Sequence, residues 1–182
     1  YLKYLNLNSN DRIFVPLCGK TNDIIWLVKH GFYVVGVELS QIAIDALFAT
    51  LNIKPKKHIL SNHILYESKQ INIFAGDIFD LSCSDIKISH AIYDRAALVA
   101  LPPETQKQYA HHLQTLCPKT PQLVITFEYD QTLFNGPPFS IQPTQLHELY
   151  ATDYHLTNLF SHKAYQFTDI EVTEHAWLLL PK

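Results

Sequence analysis

The sequence predicts an α/β protein with a doubly wound, mostly parallel, Rossmann-like sheet and a C-terminal antiparallel strand. Three observations predict this fold class. Residues Arg12–Ser40 have the pattern of strand, turn, helix, turn and strand, and strand and helix patterns then alternate along the chain. Gln122–Tyr129 is a nearly continuous apolar run, which is typical of a strand buried on both faces. The last two strands are predicted at Tyr154–Leu159 and His175–Leu180.

Arg12–Ser40 predicts one complete βαβ unit. Its helix has Thr21 or Asn22 as the N-cap, and Gly31 stands where the helix ends in a left-handed conformation. The second strand, Tyr33–Leu39, must run parallel to the first, and the crossover between them must be right-handed.

Glu38, near the end of the second strand, lies 19 residues after Gly19. In dinucleotide-binding proteins an acidic residue about 20 residues past the glycine turn accepts hydrogen bonds from ribose hydroxyls. The turn here, Pro16–Lys20, holds a single glycine, whereas a diphosphate needs several close backbone approaches. The pattern therefore favours a nucleoside without phosphates, such as S-adenosylmethionine, over a pyridine dinucleotide. The alternative is an ordinary βαβ unit in which Glu38 is a solvated strand end.

Composition argues against several classes of protein. The chain has 182 residues, of which 47% are hydrophobic and 17% charged, so it is too apolar to be disordered. We expect a single domain over residues 1–182. A net charge of −3 argues against nucleic acid as the main partner, and no apolar run approaches the roughly 20 residues of a membrane span. We expect a cytoplasmic monomer that acts on a small molecule and does not bind a membrane.

The three cysteines, Cys18, Cys83 and Cys117, match neither a zinc pattern nor a disulfide framework, which favours a reducing compartment. Cys18 precedes a helix N-terminus, where a thiolate is favoured. No base can be assigned beside it, so we interpret Cys18 as a packed residue of the turn. The ten histidines show no metalloprotease spacing, and we predict no metal.

Polar residues follow two other predicted strands. Asp77 comes after the strand Ile71–Ala75, and Asp94 and Arg95 come after Ala91–Tyr93. Open α/β folds bind ligands at the carboxyl ends of their strands, so Asp77 or its backbone is a candidate contact for an adenine amino group. Asp94 and Arg95 are candidates to face the ligand cleft. The alternatives are that Asp77 only caps a turn and that Asp94 and Arg95 form an ion pair that fixes the loop.

Two connections allow two interpretations each. Residues 52–70 are mostly polar and predict either an irregular excursion or a small hairpin. Gly136–Phe139, with two prolines and an apolar tip, is either a lid over a cleft or a rigid connector.

Five motifs together resemble one family, the thiopurine S-methyltransferases, and its bacterial branch in particular. In chain order they are FVPLCGK (Phe14–Lys20), VVGVELS (Val34–Ser40), YDRAALVALPPE (Tyr93–Glu104), TFEYD (Thr126–Asp130) and GPPF (Gly136–Phe139). The resemblance covers nearly the whole chain. It implies a class I S-adenosylmethionine-dependent methyltransferase with a seven-stranded sheet, which methylates the sulfur of small aromatic and heterocyclic thiols. Some bacterial relatives act on selenium or tellurium compounds.

The resemblance also implies roles for particular residues. Glu38 binds the cofactor ribose, and the backbone of Asp77 and Ile78 lies against the adenine. Arg95 lies near the methionine end of the cofactor and the substrate sulfur. The full implied set is, for the cofactor, Leu17, Gly19, Glu38, Leu39, Asp77, Ile78 and Arg95, and, for the substrate, Pro137 and Phe139. Because a guanidinium stays charged, Arg95 is the candidate that favours an anionic thiolate, with Asp94 as the candidate that orients it.

One departure from the family pattern leaves alternatives open. Family members carry a tryptophan-containing segment before the first strand, and this sequence begins at Tyr1 without it. We therefore expect a more open cofactor cleft and an incomplete catalytic apparatus. The alternatives to a thiol methyltransferase are an enzyme that methylates selenium, tellurium, halide or hydrosulfide anions, and a cofactor-binding protein without turnover.

Overall fold

The structure, a computed structural model, describes residues 1–164 and 170–182. The chain forms two compact units. The N-terminal unit is Leu7–Ile92, and the C-terminal unit consists of Tyr1–Asn6 and Tyr93–Lys182.

The N-terminal unit is built on parallel strands. Its elements are β1 (Arg12–Val15), α1 (Asn22–Lys29), β2 (Tyr33–Glu38), α2 (Gln41–Leu51), β3 (Lys56–Ile59), β4 (Ile64–Glu67), β5 (Ile71–Ala75), α3 (Cys83–Ile86) and the start of β6 (Ala91–Arg95). β1 pairs in parallel with β2 and with the first residues of β6, and β2 pairs in parallel with β5. Ile13, Val34 and Ile73 on these strands are fully buried, as expected for strands covered on both faces. The predicted βαβ unit is therefore confirmed.

Local signals fix the ends of the two long helices in this unit. The Thr21 hydroxyl accepts a hydrogen bond from the Asp23 N–H at 3.2 Å, so Thr21 is the N-cap of α1. Gly31 follows α1 with φ +86°, a conformation that favours glycine. The Ser40 hydroxyl likewise accepts from the Ala43 N–H at 3.3 Å and caps α2. Thr21 and Gly31 were expected at these positions from the sequence.

Residues 52–70 contain a hairpin that widens the sheet. β3 and β4 pair antiparallel, with Ile59 opposite Ile64, and β4 pairs antiparallel with β5. The hairpin interpretation of this segment is confirmed. It also corrects the predicted strand count, because the described residues hold nine strands where seven were predicted. β3 and β4 are the two additional strands.

The C-terminal unit ends in antiparallel strands. Its elements after the end of β6 are α4 (Pro103–Leu116), β7 (Gln122–Glu128), α5 (Pro143–Tyr150), β8 (Tyr154–Ala164) and β9 (Val172–Pro181). β9 pairs antiparallel with both β7 and β8. Residues 122–127 of β7 are all buried, which confirms the predicted strand buried on both faces. β8 and β9 are both longer than predicted.

The helices of residues 1–164 and 170–182 are all too short or too polar to cross a membrane. In the same residues no group of three or more His, Cys, Asp or Glu side chains is arranged to hold a metal ion.

Candidate functional site

The carboxylate of Glu38, the last residue of β2, is held by two backbone groups. The Gly19 N–H donates to Oε2 at 2.7 Å, and the Ser40 N–H donates to Oε1 at 2.8 Å. A carboxylate oxygen has two lone pairs, so each oxygen keeps an acceptor position after these bonds. The half-buried carboxylate is therefore fixed in place and can still accept hydrogen bonds from two neighbouring hydroxyls.

The turn after β1 leaves open space at Gly19. Leu17 and Gly19 both have left-handed backbones, with φ +43° and +53°. A Cβ built on Gly19 would meet no atom within 4 Å, so glycine here serves the backbone conformation rather than a close contact with the protein. Leu17 is half-buried. The turn thus presents an accessible surface that an apolar ligand group can contact.

Cys18, between these two residues, is packed into the interior. Its side chain is 5% exposed, and a Cβ on Gly36 would lie 2.9 Å from its sulfur. Burial, with a smaller contribution from the nearby negative charge of Glu38, raises the pKa of the Cys18 thiol far above its ordinary value. The interpretation of Cys18 as a packed residue of the turn is confirmed, and its burial disfavours a thiolate.

Asp77 and Ile78 stand at the end of β5, beside the end of β2. The pairing of Glu38 with Ala75 places both strand ends at the same edge of the sheet. The exposed Asp77 caps a short 3-10 helix, Ile78–Asp80, through a hydrogen bond of 3.0 Å from the Phe79 N–H to Oδ1. The capping alternative for Asp77 is thus observed, and it leaves the carboxylate accessible.

The predicted cofactor residues of the N-terminal unit therefore lie together at the carboxyl ends of three parallel strands. They are Leu17, Gly19, Glu38, Leu39, Asp77 and Ile78. Leu39 is 72% exposed although it is a large apolar residue, and Ile78 is buried. The Glu38 carboxylate fits the ribose hydroxyls, and the exposed side chain of Leu39 fits the adenine ring. The exposed carboxylate of Asp77 fits the adenine amino group. The residues present fit a nucleoside such as S-adenosylmethionine.

In the C-terminal unit, the Asp94 carboxylate is completely buried and holds the loop that follows β6. Oδ1 accepts hydrogen bonds from the N–H groups of Ala97 at 3.2 Å and Leu98 at 3.1 Å. Oδ2 accepts from the Tyr109 hydroxyl at 2.7 Å. Burial raises the pKa of Asp94 to about 6, although these three hydrogen bonds lower it in part. Asp94 thus fixes the loop through its backbone and through Tyr109.

Arg95, the next residue, is exposed. Successive residues of a strand point to opposite faces, so the buried Asp94 and the exposed Arg95 at the end of β6 project in different directions. Ala96 follows with φ +69°, an unusual value for a residue with a side chain. That Asp94 orients Arg95, acting through this loop, stays a prediction.

The titration of Asp94 predicts how stability varies with pH. An unfolded Asp titrates near pH 3.9, so at intermediate pH the native state holds a proton that the unfolded state has released. The stability that the protonated group contributes is present below about pH 4 and is lost as the pH rises through about 6. Relative to Asp94→Asn, the wild type should lose about 3 kcal/mol of unfolding free energy over this interval, measured by urea unfolding at several pH values.

The asparagine variant is a suitable reference because its amide keeps an oxygen for the two N–H groups and can donate to Tyr109. The hydrogen bond from the Tyr109 hydroxyl lowers the pKa of Asp94. Tyr109→Phe should therefore raise this pKa, and the loss of stability should continue to higher pH. If the unfolding free energies of wild type and Asp94→Asn varied identically with pH, the raised pKa of Asp94 would be contradicted.

The loop that carries Pro137 and Phe139 is tied together from within. The Tyr129 hydroxyl donates to the carbonyl of Pro138, and the Gln131 amide donates to the Tyr129 hydroxyl at 3.0 Å. The Ser140 N–H donates to the Gln131 side-chain oxygen at 2.8 Å. These bonds favour the rigid-connector interpretation of the segment.

Phe139 itself is held at two points. Its N–H donates to the carbonyl of Val99, and its ring lies so close to Gly136 that a Cβ there would meet ring atoms at 2.8 and 2.9 Å. Gly136 has φ +78°. Phe139 is half-buried and Pro137 is exposed. The aromatic ring is thus presented by a loop of fixed shape.

Comparison with known proteins gives a consistent result. The sequence model of the family described as thiopurine S-methyltransferase (TPMT) matches residues 1–177. The chain belongs to this family. The curated thiopurine S-methyltransferase of Xanthobacter autotrophicus is 44% identical over 92% of this chain and 80% of that protein. The corresponding protein of Teredinibacter turnerae is 47% identical over 79% of this chain and 67% of that protein.

Solved structures support the fold assignment of this thiopurine S-methyltransferase family member. A S-adenosylmethionine-dependent methyltransferase from Methanosarcina mazei superposes with a TM-score of 0.73 at 11% identity, covering 100% of this chain and 98% of that chain. Magnesium protoporphyrin IX methyltransferase from Synechocystis PCC 6803, solved with S-adenosylhomocysteine, superposes with a TM-score of 0.68 at 12% identity, covering 97% of this chain and 78% of that chain. The predicted Rossmann-like α/β fold is confirmed. The predicted enzyme class, a methyltransferase with S-adenosylmethionine as its cofactor, is confirmed by family membership.

Sequence reasoning missed three residues of this family member that shape the predicted site. The hydrogen bond from Tyr109 to Asp94 was not expected. The roles of Tyr129 in the Phe139 loop and of His63, which contacts the Asp77 backbone, were not expected. Each acts on a residue 9 to 15 positions away, and no local pattern signals such contacts.

Proposed function

We propose that this chain transfers a methyl group from S-adenosylmethionine to the sulfur of small aromatic or heterocyclic thiols of the thiopurine type. The observation that carries the proposal is the similarity, along nearly the whole chain, to curated relatives named for this reaction. The two candidate residue groups described above supply the chemistry that the reaction requires.

The N-terminal unit binds and orients the nucleoside. Glu38, already fixed by Gly19 and Ser40, accepts hydrogen bonds from the ribose hydroxyls. The exposed side chain of Leu39 packs against the nucleoside and excludes water from it. Asp77 accepts a hydrogen bond from the adenine amino group. When bound, S-adenosylmethionine supplies a methyl group that is activated by a positively charged sulfur.

Arg95 acts on the acceptor. A thiol reacts as the thiolate, and heteroaromatic thiols are acidic enough to be partly ionised near neutral pH. The guanidinium of Arg95 stays charged at any working pH and stabilises the thiolate, so no strong general base is required. Asp94 acts indirectly, because it holds the backbone of the loop that follows Arg95.

Pro137 and Phe139 form an apolar wall for the acceptor ring. Because the hydrogen bonds of Tyr129 and Gln131 already hold this loop, little conformational entropy is lost when a flat ring packs against it. Holding two reacting groups in the right geometry lowers the activation barrier by about 7–11 kcal/mol.

The test compares matched acceptors. The purified protein is incubated with S-adenosylmethionine and a thiopurine, or with the corresponding purine that carries oxygen in place of sulfur, and products are identified by mass spectrometry. We expect a methyl thioether and one equivalent of S-adenosylhomocysteine with the thiopurine, and neither product with the oxygen analogue. Methylation of selenite, tellurite or halide without methylation of the thiol would contradict the proposal. Tight binding of the cofactor without any product would also contradict it.

A further inference from the structure

We infer that His63, in the turn between β3 and β4, is a positioning residue that holds the adenine-binding turn at the end of β5 and thereby sets the affinity for the adenine end of the cofactor. The inference rests on the proposed assignment of Asp77 to the adenine amino group. It goes beyond that assignment, because it gives the hairpin of β3 and β4 a part in cofactor binding.

A hydrogen bond joins the hairpin to this turn. His63 is 6% exposed, and its Nε2 lies 2.9 Å from the backbone carbonyl oxygen of Asp77. A carbonyl oxygen can only accept, so Nε2 carries the hydrogen and donates it. The imidazole of His63 therefore fixes the peptide plane that follows Asp77.

Gly76 allows the imidazole to reach this carbonyl. Its φ of +155° is open to glycine, and a Cβ at this position would lie 2.5 Å from Cδ2 of His63 and 3.0 Å from Nε2. Real Cβ atoms do not approach other atoms so closely, so any side chain at position 76 would displace the imidazole. Glycine at this position thus serves the contact with His63 as well as the turn.

The hairpin itself is firmly attached on the His63 side. Ile64, the next residue, pairs with Ala75 at the end of β5, and the ring of His63 meets Phe74 edge-on with centroids 6.0 Å apart. The carbonyl of His63 accepts a hydrogen bond from the Leu60 N–H at 2.8 Å. His63 is therefore held by its backbone and its ring before any ligand is bound.

Hydrogen bonds restrain both the side chain and the backbone of Asp77. Its Oδ1 accepts from the Phe79 N–H, and His63 binds its carbonyl, so the side chain and the backbone are both restrained. A restrained carboxylate loses little conformational freedom when it accepts a hydrogen bond from a ligand. Without the imidazole donor, the Asp77 carbonyl keeps only the 3.2 Å hydrogen bond from the Asp80 N–H, so the turn is held less firmly and affinity for the adenine end falls.

The experiment measures two ligands by calorimetry: S-adenosylhomocysteine, and S-inosylhomocysteine, which carries a carbonyl in place of the adenine amino group. His63→Asn places its amide nitrogen too close to the backbone to reach Asp77, whereas the longer side chain of His63→Gln can reach it. We expect His63→Asn to weaken S-adenosylhomocysteine binding about tenfold and to leave S-inosylhomocysteine nearly unchanged. His63→Gln should remain within about threefold of the wild type for both ligands.

Hydrogen exchange of the ligand-free protein gives a second readout. The amides of Phe79 and Asp80 should exchange faster in His63→Asn and at the wild-type rate in His63→Gln. The matched control is His58→Asn, because His58 lies on the same hairpin but is exposed and pairs with Glu67 at 2.9 Å. It should change neither measurement.

Equal weakening of both ligands in His63→Asn, with no rescue by His63→Gln, would overturn the role of His63. Equal affinity of the wild type for the two ligands would instead contradict the assignment of Asp77 to the adenine amino group, and the inference would fall with it. Failure of the protein to methylate thiols would contradict the proposed acceptor and would leave the binding result intact.

Discussion

Replacing Glu38 with alanine is expected to raise the dissociation constant for S-adenosylmethionine at least about 100-fold. A hydrogen bond to a charged group contributes about 1.5–3 kcal/mol, and Glu38 has one acceptor position available on each oxygen for the two ribose hydroxyls. The loss of both bonds amounts to about 3 kcal/mol or more, which corresponds to at least 100-fold in affinity. Isothermal titration calorimetry measures the change directly.

The same variant removes the acceptor for two backbone donors. In Glu38→Ala the N–H groups of Gly19 and Ser40 must find water or remain unpaired, so a modest decrease in stability accompanies the loss of affinity. Glu38→Gln should bind the cofactor nearly as weakly as Glu38→Ala, because the NH₂ group of glutamine must face one of these two N–H donors. Glu67→Ala, on the hairpin in the same unit, is the control that should bind the cofactor normally. Unchanged affinity in Glu38→Ala would refute the ribose assignment.

Replacing Arg95 with alanine is expected to lower kcat about 100-fold while cofactor affinity changes less than about threefold. The removal of one preorganised charge or donor that stabilises developing charge typically costs a factor of 10² to 10³ in kcat. The loss should be largest with the least acidic thiol, since that acceptor depends most on the guanidinium for its ionisation. Steady-state kinetics with thiols of graded acidity, together with calorimetry, separates the two effects.

Arg95→Lys tests whether charge alone is sufficient. A lysine keeps the positive charge but lacks the planar set of donors, so activity between those of wild type and Arg95→Ala is expected. Equal losses of turnover and cofactor affinity in Arg95→Ala would assign this residue to the cofactor rather than to the acceptor.

The parts of the fold that local chemistry determines were predictable. Thr21, Gly31 and Ser40 mark the ends of α1 and α2 through caps that involve only neighbouring residues. The hairpin was harder to predict because every residue of β3 is exposed, so no apolar alternation marks this strand. Its existence depends on pairing with β4 and, through β4, with β5, which a local pattern does not reveal.

The candidate site was predictable only in part, for a similar reason. The position of Glu38 follows from chain spacing within one βαβ unit, and the structure places it at the expected edge. The burial of Asp94 and its bond to Tyr109 depend on how α4 packs, and that packing is set by contacts distant in sequence. The bound positions of the cofactor and the acceptor remain predictions.

The packing of Cys18 has a consequence for the selectivity of the reaction. A methyltransferase that uses thiol acceptors holds a strong methylating agent, and any thiolate of its own beside that agent would compete with the substrate. Cys18 lies within the turn proposed to bind the cofactor, yet its sulfur is buried and its pKa is raised, so it stays protonated and poorly nucleophilic at neutral pH. If the cofactor binds at this turn as proposed, the burial of Cys18 keeps its thiol from competing with the acceptor for the methyl group.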